Sequence, residues 1–178
     1  MKKLLVLDLD ETLVHANHEK PAHDDYFKVA NYYVHKRPNL DWFIKEMLTT
    51  FKIGVWTASS EMYAEIVTNE LFSKGDLEFV WANKRCTLAR SFNTGEYDVI
   101  KNLRKLKKLG YPMESIIMVD DTASKHVKNY GNLVLIKEFK GDQNDDELVP
   151  LANYLEHLAR VPNIRNVEKR NWKAQLDL

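Results

Sequence analysis

The sequence lacks several features that would point to specialised classes of protein. It has a single cysteine, Cys86, among 178 residues, which excludes an internal disulfide framework and is typical of a reducing compartment. Its 26 basic side chains are balanced by 26 acidic ones, so no overall charge draws the chain to nucleic acid or to an anionic membrane. No apolar run approaches the roughly 20 residues that a membrane-spanning helix needs. These absences predict a cytoplasmic protein without nucleic-acid or membrane partners.

What is present is the composition of one globular domain. Hydrophobic residues make up 44% of the chain and charged residues 29%, and a chain of this length buries a core without disulfides or a structural metal. The six glycines and five prolines are scattered, so nothing marks a domain boundary. We therefore expect a monomeric single domain over residues 1–178, in which residues 161–178 form a terminal helix or tail.

Short apolar runs alternate with helical patterns along the chain. The runs read as strands that are buried on both faces, and the patterns carry apolar residues three and four positions apart. Such alternation predicts a doubly wound α/β fold with a parallel sheet between helices. Two β-rich stretches, 26–36 and 77–97, are predicted as short β insertions, and neither is long enough for a large cap domain. The predicted strands are 4–7, 53–56, 116–119 and 133–136, and the predicted helices are 39–51, 60–72, 98–109 and 147–160.

Polar residues follow three of these apolar runs at the point where each strand should end. Asp8 and Asp10 follow the first run, Thr57 the second, and Asp120 and Asp121 the third. In open α/β sheets, ligands bind at the carboxyl ends of the strands, so we expect these side chains to converge on one edge. Clustered carboxylates repel one another unless a cation compensates them, and hard oxygen ligands favour Mg²⁺. A carboxylate beside Mg²⁺ and a phosphoryl group is also a competent nucleophile, which would give an aspartyl-phosphate.

These polar residues belong to longer motifs. Asp-Leu-Asp-Glu-Thr-Leu-Val-His occupies 8–15, Lys-Arg-Pro 36–38, Trp-Thr-Ala-Ser 56–59, Val-Ile-Lys-Asn-Leu 99–103 and Val-Asp-Asp-Thr 119–122. In this order they resemble the motifs of the haloacid dehalogenase superfamily, in the form found in small phosphatases that act on the carboxy-terminal tail of RNA polymerase II. The resemblance covers about residues 3–160 and implies a Mg²⁺-dependent phosphatase that works through an aspartyl-phosphate.

The resemblance also implies a role for each acidic residue. Asp8 resembles the nucleophile, which also ligates Mg²⁺. Asp10 resembles the general acid and base, with its backbone carbonyl on the metal. Asp121 matches the further metal ligand, and Asp120 and Thr12 are expected beside the ligands. The chain carries Asp120-Asp121 where those polymerase-tail enzymes have Asp-Asn, so its metal site is expected to be more acidic.

Phosphate binding is implied for three further residues. Thr57 resembles the hydroxyl that holds the phosphoryl oxygens, with help from the backbone of Ala58. Lys101 resembles the cation that neutralises the phosphate and the nucleophile. Helical spacing alone gives a different interpretation, in which Lys101 lies with other basic residues on the exposed face of the predicted helix 98–109.

Several functions remain open at this point. Without a long insertion the site should be open to a large substrate, which favours a phosphoserine or phosphothreonine protein over a small phosphomonoester. A phosphorylatable receiver domain also clusters aspartates with threonine and lysine, but here Lys101 precedes Asp120 and Asp121, and receivers have no acid/base like Asp10. A non-catalytic binding relative is the third reading, which the intact set of site residues disfavours.

Overall fold

The computed structural model describes residues 2–90, 95 and 97–175. Ten strands and three α-helices are found in this part of the chain. The helices are α1 (Leu40–Thr50), α2 (Glu61–Leu71) and α3 (Leu148–Arg160). The strands are β1 (Leu4–Leu7), β2 (Val14–Asn17), β3 (Tyr26–Val29), β4 (Tyr32–Lys36), β5 (Lys52–Trp56), β6 (Leu77–Trp81), β7 (Thr87–Arg90), β8 (Tyr97–Ile100), β9 (Ile116–Asp120) and β10 (Leu133–Leu135).

A parallel sheet with the strand order β10-β9-β1-β5-β6 forms the centre of the structure. Strand β1 is the middle strand, and its alternate residues face different core clusters. Leu5 and Leu7 pack with residues of α1 and α3, whereas Leu4 and Val6 pack with a second cluster that includes Leu103. Because both faces are covered, the strand needs an unbroken apolar run, and the predicted doubly wound α/β fold is confirmed.

The strand order places three strand ends side by side. Strand β1 has β5 on one side and β9 on the other, so the chain changes direction across the sheet at β1. Ligands of open α/β sheets bind at such a switch point, beyond the carboxyl ends of the strands. Asp8, Thr57 and Asp121 each come directly after one of these three strands.

Two predictions of secondary structure are wrong. The predicted helix 98–109 is divided, because residues 98–100 belong to β8 and pair with β7, and only Leu103–Leu109 coil, as a 3₁₀-helix. The side chain of Asn102 accepts a hydrogen bond from the Arg104 amide (3.2 Å) where this helix begins. The stretch 77–97 was predicted as one β insertion, but Leu77–Trp81 is the fifth strand of the central sheet. As an edge strand β6 is half-buried, so it lacks the continuous apolar run of the inner strands.

The remaining segments cover the sheet. Strands β2, β4 and β3 form a small antiparallel sheet that contains the hairpin predicted at 26–36, and β7 and β8 form a two-stranded sheet. Ile164–Asn166 and Trp172–Gln175 are short 3₁₀-helices with Ile164 and Trp172 buried, while 176–178 lie outside the described residues. None of the described helices is long and apolar enough to cross a membrane.

Candidate active site

Three aspartates meet at the ends of β1 and β9. The two strands are paired in register, and the amide of Asp8 donates to the carbonyl of Val119 (3.1 Å), which aligns Asp8 with Asp120. Carboxylate oxygens of Asp8, Asp120 and Asp121 all lie within 4.8 Å of one another. Asp8 and Asp120 are buried, whereas Asp121 is partly exposed. The convergence expected from the strand ends is therefore present.

Lys101 is fully buried between two of these carboxylates. Its Nζ lies 2.6 Å from Oδ1 of Asp8 and 2.6 Å from Oδ2 of Asp120. Burial is the largest influence and would lower the pKa of Lys101, but the two carboxylates outweigh it and hold the pKa above its ordinary value. Lys101 is therefore a charged bridge, and the interpretation that places it on an exposed basic face is wrong.

The pKa values of the two buried carboxylates, Asp8 and Asp120, shift in opposite directions. Burial, assisted by the charge of Asp120, raises the pKa of Asp8 to about 7 despite Lys101. Burial acts in the same sense on Asp120, but Lys101 and a hydrogen bond from His126 outweigh it and lower the pKa of Asp120. The pKa of Asp121 is also raised. Burial is the largest cause, and the negative charge of Asp120 is the next. A site with this much uncompensated negative charge favours a bound cation.

Asp120 is the centre of a buried hydrogen-bond network. Its Oδ2 also contacts His126 Nε2 (2.9 Å), and its Oδ1 accepts from the Thr122 amide (2.8 Å). The other ring nitrogen of His126 contacts Asn129 Nδ2 (3.0 Å), and Asn129 Oδ1 accepts from the Leu103 amide (3.2 Å). This chain of contacts fixes Asp120, and through it Lys101, in one position.

The Asp10 carboxylate points away from the other aspartates, towards the start of α2. It accepts hydrogen bonds from Ser59 Oγ (2.6 Å), Tyr63 Oη (2.7 Å) and Thr57 Oγ1 (3.3 Å). Burial and the adjacent Asp10 raise the pKa of Tyr63, so its phenol remains a donor. Helix α2 begins here because Ser60 caps it, accepting from the Tyr63 amide (3.3 Å). The same turn therefore both starts the helix and holds Asp10.

Thr57 and Ala58 come directly after β5, and Thr57 contacts Asp10. Thr57 is buried, and its hydroxyl accepts from the Ser59 amide (3.0 Å) while it donates to Asp10. Within the described part of the chain, the Ala58 amide has no hydrogen-bond acceptor. A free backbone donor beside a hydroxyl is suited to an anion.

Arg37 fastens the loop that carries Asp10. Its buried guanidinium donates to the carbonyl of Thr12 (2.9 Å) and makes two hydrogen bonds of 2.7 and 2.8 Å to Asp145. The carbonyl of Glu11 accepts from the Phe139 amide (2.7 Å), which ties the same loop to the segment after β10. Thr12 is buried, and its contact with Arg37 is made by its backbone carbonyl.

A family model described as NLI interacting factor-like phosphatase matches residues 3–165. The chain belongs to this family. A "CTD nuclear envelope phosphatase 1" from Xenopus laevis is 30% identical over 96% of this chain and 72% of its own length. A human "CTD small phosphatase-like protein" is 30% identical over 95% of this chain and 60% of its own length. An uncharacterized fission yeast protein is 33% identical over 93% of this chain, which spans only 50% of that relative.

Solved structures agree on the fold of this phosphatase family member. The fission yeast RNA polymerase II CTD phosphatase Fcp1, bound to beryllium fluoride, superposes with a TM-score of 0.57 at 17% identity, covering 99% of this chain and 62% of that one. A predicted phosphoglycolate phosphatase from Haemophilus somnus gives a TM-score of 0.57 at 8% identity, with 86% of this chain and 98% of that one covered. The resemblance to haloacid dehalogenase-type phosphatases, and with it the prediction of an enzyme, is confirmed.

Four polar residues of this family member's site are assigned no role from the sequence alone. Ser59 and Tyr63 hold Asp10, His126 holds Asp120, and Lys125 lies 3.9 Å from Asp8 Oδ2. For Ser59 a signal was available, because it follows Thr57 at the end of a strand. For Tyr63 the apolar spacing of the predicted helix 60–72 gives the inward direction but not the contact with Asp10. Lys125 and His126 are side chains of a turn, whose direction no periodicity reveals.

Proposed function

We propose that this chain is a Mg²⁺-dependent phosphomonoester hydrolase that forms an aspartyl-phosphate on Asp8, and that its substrate is a phosphoserine or phosphothreonine protein. The observation that carries the proposal is the cluster of Asp8, Asp120 and Asp121, whose oxygens lie within 4.8 Å of one another, with Lys101 bridging two of them. A receiver domain does not need a further carboxylate held by three hydroxyls, as Asp10 is here.

The donor set fits a magnesium ion. Asp8 Oδ2 is buried and has no hydrogen-bond partner among the described residues, so its lone pairs are free for a cation. We propose Asp8, Asp121 and the backbone carbonyl of Asp10 as the ligands, with Asp120 retained by Lys101. The side chain of Asp10 is engaged by hydroxyls and takes no part in the cluster. When bound, Mg²⁺ would neutralise charge on the phosphoryl oxygens and on the carboxylates.

The first chemical step transfers the phosphoryl group to Asp8. The carboxylate of Asp8 attacks phosphorus, the bond from phosphorus to the leaving oxygen breaks, and Asp10 donates a proton to that oxygen. Thr57 and the amide of Ala58 hold the phosphoryl oxygens, and Lys101 neutralises charge that develops near Asp8. The hydroxyls of Ser59 and Tyr63 orient Asp10 for this transfer.

The second step releases phosphate. Asp10, now ionised, accepts a proton from a water molecule, whose oxygen attacks phosphorus as the bond to Asp8 breaks. Inorganic phosphate leaves, and both aspartates return to their initial protonation states. One residue thus serves as acid and then as base, which requires that it lie near Asp8 without ligating the metal through its side chain.

A protein substrate is supported by the relatives and by the surface next to Asp10. Both the Xenopus and human relatives are named as CTD phosphatases. A cleft of about 320 Å³ beside Asp10 is lined largely by apolar side chains, among them Val29, Tyr32, Met62 and Tyr63. Such a cleft suits the uncharged part of a peptide that flanks the phosphorylated residue.

The test of the chemistry is hydrolysis of para-nitrophenyl phosphate with and without Mg²⁺. We expect activity that requires Mg²⁺, is removed by a chelator, and is lost in Asp8→Asn. With radiolabelled para-nitrophenyl phosphate, whose leaving group departs without a proton from Asp10, the Asp10→Asn variant should retain label on the protein after an acid quench, because its second step lacks a base. Full activity of Asp8→Asn, or activity in excess chelator, would contradict the mechanism.

The substrate class needs a separate comparison. Values of kcat/KM on matched panels of phosphoserine and phosphothreonine peptides and of sugar phosphates should favour the peptides. The variant Met62→Ser, which makes the apolar cleft polar, should lower kcat/KM on peptides and leave para-nitrophenyl phosphate less affected. A preference for the sugar phosphates would replace the protein substrate with a small phosphomonoester and leave the chemistry unchanged.

A further inference from the structure

Lys125 is a second cation at the proposed nucleophile. Its Nζ lies 3.9 Å from Oδ2 of Asp8, the buried oxygen without a hydrogen-bond partner, whereas Lys101 holds Oδ1 at 2.6 Å. The distance to Lys125 is that of an ion pair and is too long for a hydrogen bond. The two oxygens of Asp8 thus face different cations at different distances.

The backbone of Lys125 is held by hydrogen bonds at both its carbonyl and its amide. Its carbonyl accepts from the Lys101 amide (2.8 Å), and its own amide donates to the Thr122 carbonyl (3.3 Å). The next residue, His126, is buried and held by Asp120. The turn Ala123–His126 therefore presents Lys125 from a rigid base, directly after the proposed metal ligand Asp121.

The ammonium of Lys125 remains available to a ligand. The side chain is 24% exposed, against 0% for Lys101, and among the described residues its Nζ donates no hydrogen bond. Burying an aliphatic stem while the charged end reaches towards the opening is a common use of lysine. An ammonium with three unused donors beside the site of phosphoryl transfer is suited to an anion.

Charge balance points the same way. Asp10 holds a proton when the substrate binds, so Asp8, Asp120 and Asp121 carry three negative charges, which Lys101 and one divalent cation offset. Lys125 then gives the site one net positive charge, which attracts a phosphate dianion. That charge lies on the side of Asp8 that Lys101 does not cover.

We propose that Lys125 binds the phosphoryl group of the substrate directly, donating to its oxygens on the Oδ2 side of Asp8. This inference rests on the proposed function and adds a phosphate-binding residue to it. Lys125 contributes mainly to binding of the phosphate dianion, in the substrate and in the product. The turn that carries it couples this contact to Lys101 through the backbone.

The experiment compares Lys125→Met, Lys125→Arg and Lys128→Met with the wild type at saturating Mg²⁺. Lys128 is exposed in the same segment and is not part of the site, so its variant is the matched control. The measurements are KM and kcat for para-nitrophenyl phosphate, the inhibition constant of inorganic phosphate, and the rise in Tm that phosphate produces. The last readout does not depend on turnover.

We expect Lys125→Met to raise both KM and the inhibition constant of phosphate by roughly tenfold or more, the usual effect of losing a charged hydrogen bond. The phosphate-induced rise in Tm should shrink in parallel. Lys125→Arg should retain most of the phosphate affinity, and Lys128→Met all of it. If Lys125→Met fails to fold, Lys125→Gln, which keeps the length and loses the charge, takes its place.

Two results would overturn the inference. Phosphate affinity equal to the wild type in Lys125→Met would exclude a contact with the phosphoryl group. A lower kcat with unchanged phosphate affinity would mean that Lys125 acts only through Asp8. If instead the wild type neither hydrolyses para-nitrophenyl phosphate nor gains stability from phosphate, the proposed function itself fails, which is a distinct outcome.

Discussion

Tyr63 Oη lies 2.7 Å from Oδ1 of Asp10, so the first turn of α2 holds the side chain that is proposed to move the proton. Tyr63→Phe removes this donor and keeps the ring. A hydrogen bond to a charged group contributes about 1.5 to 3 kcal/mol, so we expect kcat to fall by roughly tenfold or more. KM should change little, and Tm should fall by no more than several degrees, because the hydrogen bond is lost while the ring still packs against the core.

Steady-state kinetics and thermal unfolding of Tyr63→Phe are to be compared with Tyr130→Phe. Tyr130 is 81% exposed and makes no contact with the site, so its variant controls for loss of a phenol as such. A normal kcat in Tyr63→Phe would show that Ser59 and Thr57 alone suffice to position Asp10.

The inner strands and their polar ends could be predicted from the sequence because burial on both faces demands continuous apolar runs. Leu4–Leu7 and Ile116–Asp120 are of this kind, and the acidic residues follow them at the switch point of the sheet. The prediction needed only the ends of the strands, which are local, and the rule that parallel strands end at one edge of a sheet. Contacts between a strand end and the turn that follows it, such as that of Asp120 with His126, carry no such signal.

The segment around Lys101 shows where periodicity misleads. Val99, Leu103 and Leu106 have helical spacing, yet residues 98–100 form an edge strand because β7 offers them hydrogen bonds. Tertiary pairing overrides local propensity in such short stretches. The same change turns Lys101 from an exposed residue of a helix into a buried bridge, which only the motif resemblance anticipated.

Removal of the buried cation should affect both activity and stability. Lys101→Met leaves Asp8 and Asp120 facing each other in a site where both side chains are at most 1% exposed. Leaving a buried charge unpaired costs about 3 to 5 kcal/mol, so the free energy of unfolding without Mg²⁺ should fall by that order. Activity should fall by at least about 100-fold, since the charge near the phosphoryl group is lost.

Urea unfolding of Lys101→Met, alone and combined with Asp8→Asn, checks this explanation. The second substitution removes one of the two facing charges, so it should restore part of the lost stability rather than add to the loss. Additive losses in the double variant would mean that the destabilisation arises from packing and not from charge.

The metal site should tolerate an amide in place of Asp121 but not a methyl group. Asp121→Asn keeps an oxygen ligand and removes one negative charge from the cluster, so Mg²⁺ should bind more weakly while activity persists at high Mg²⁺. Asp121→Ala removes the ligand, and we expect Mg²⁺ affinity to fall by roughly 100-fold. Calorimetric titration with Mg²⁺ measures both. Equal affinities in the two variants would exclude Asp121 as a ligand.

The ion pair between Arg37 and Asp145 should make stability depend on acid pH. Burial alone would raise the pKa of Asp145, but Arg37 outweighs it and holds that pKa below the ordinary value. A carboxyl group whose pKa is lowered on folding stabilises the protein above its unfolded pKa of about 4 and loses that effect as the pH falls through the folded value. The wild type should therefore have a higher free energy of unfolding than Asp145→Asn, and this difference should be largest near neutral pH.

The difference should narrow as the pH falls below about 4, because the wild-type carboxyl then becomes neutral as the amide always is. At neutral pH we expect it to be about 3 kcal/mol, since the buried guanidinium of Arg37 loses its counter-charge. The control is Asp146→Asn at an exposed position, which should have nearly the same free energy of unfolding as the wild type across this pH range. Because Arg37 also holds the carbonyl of Thr12, Asp145→Asn should lower kcat as well, which links this distant pair to the position of Asp10. A difference that stays constant from neutral to acid pH would instead assign the stability to packing around Arg37.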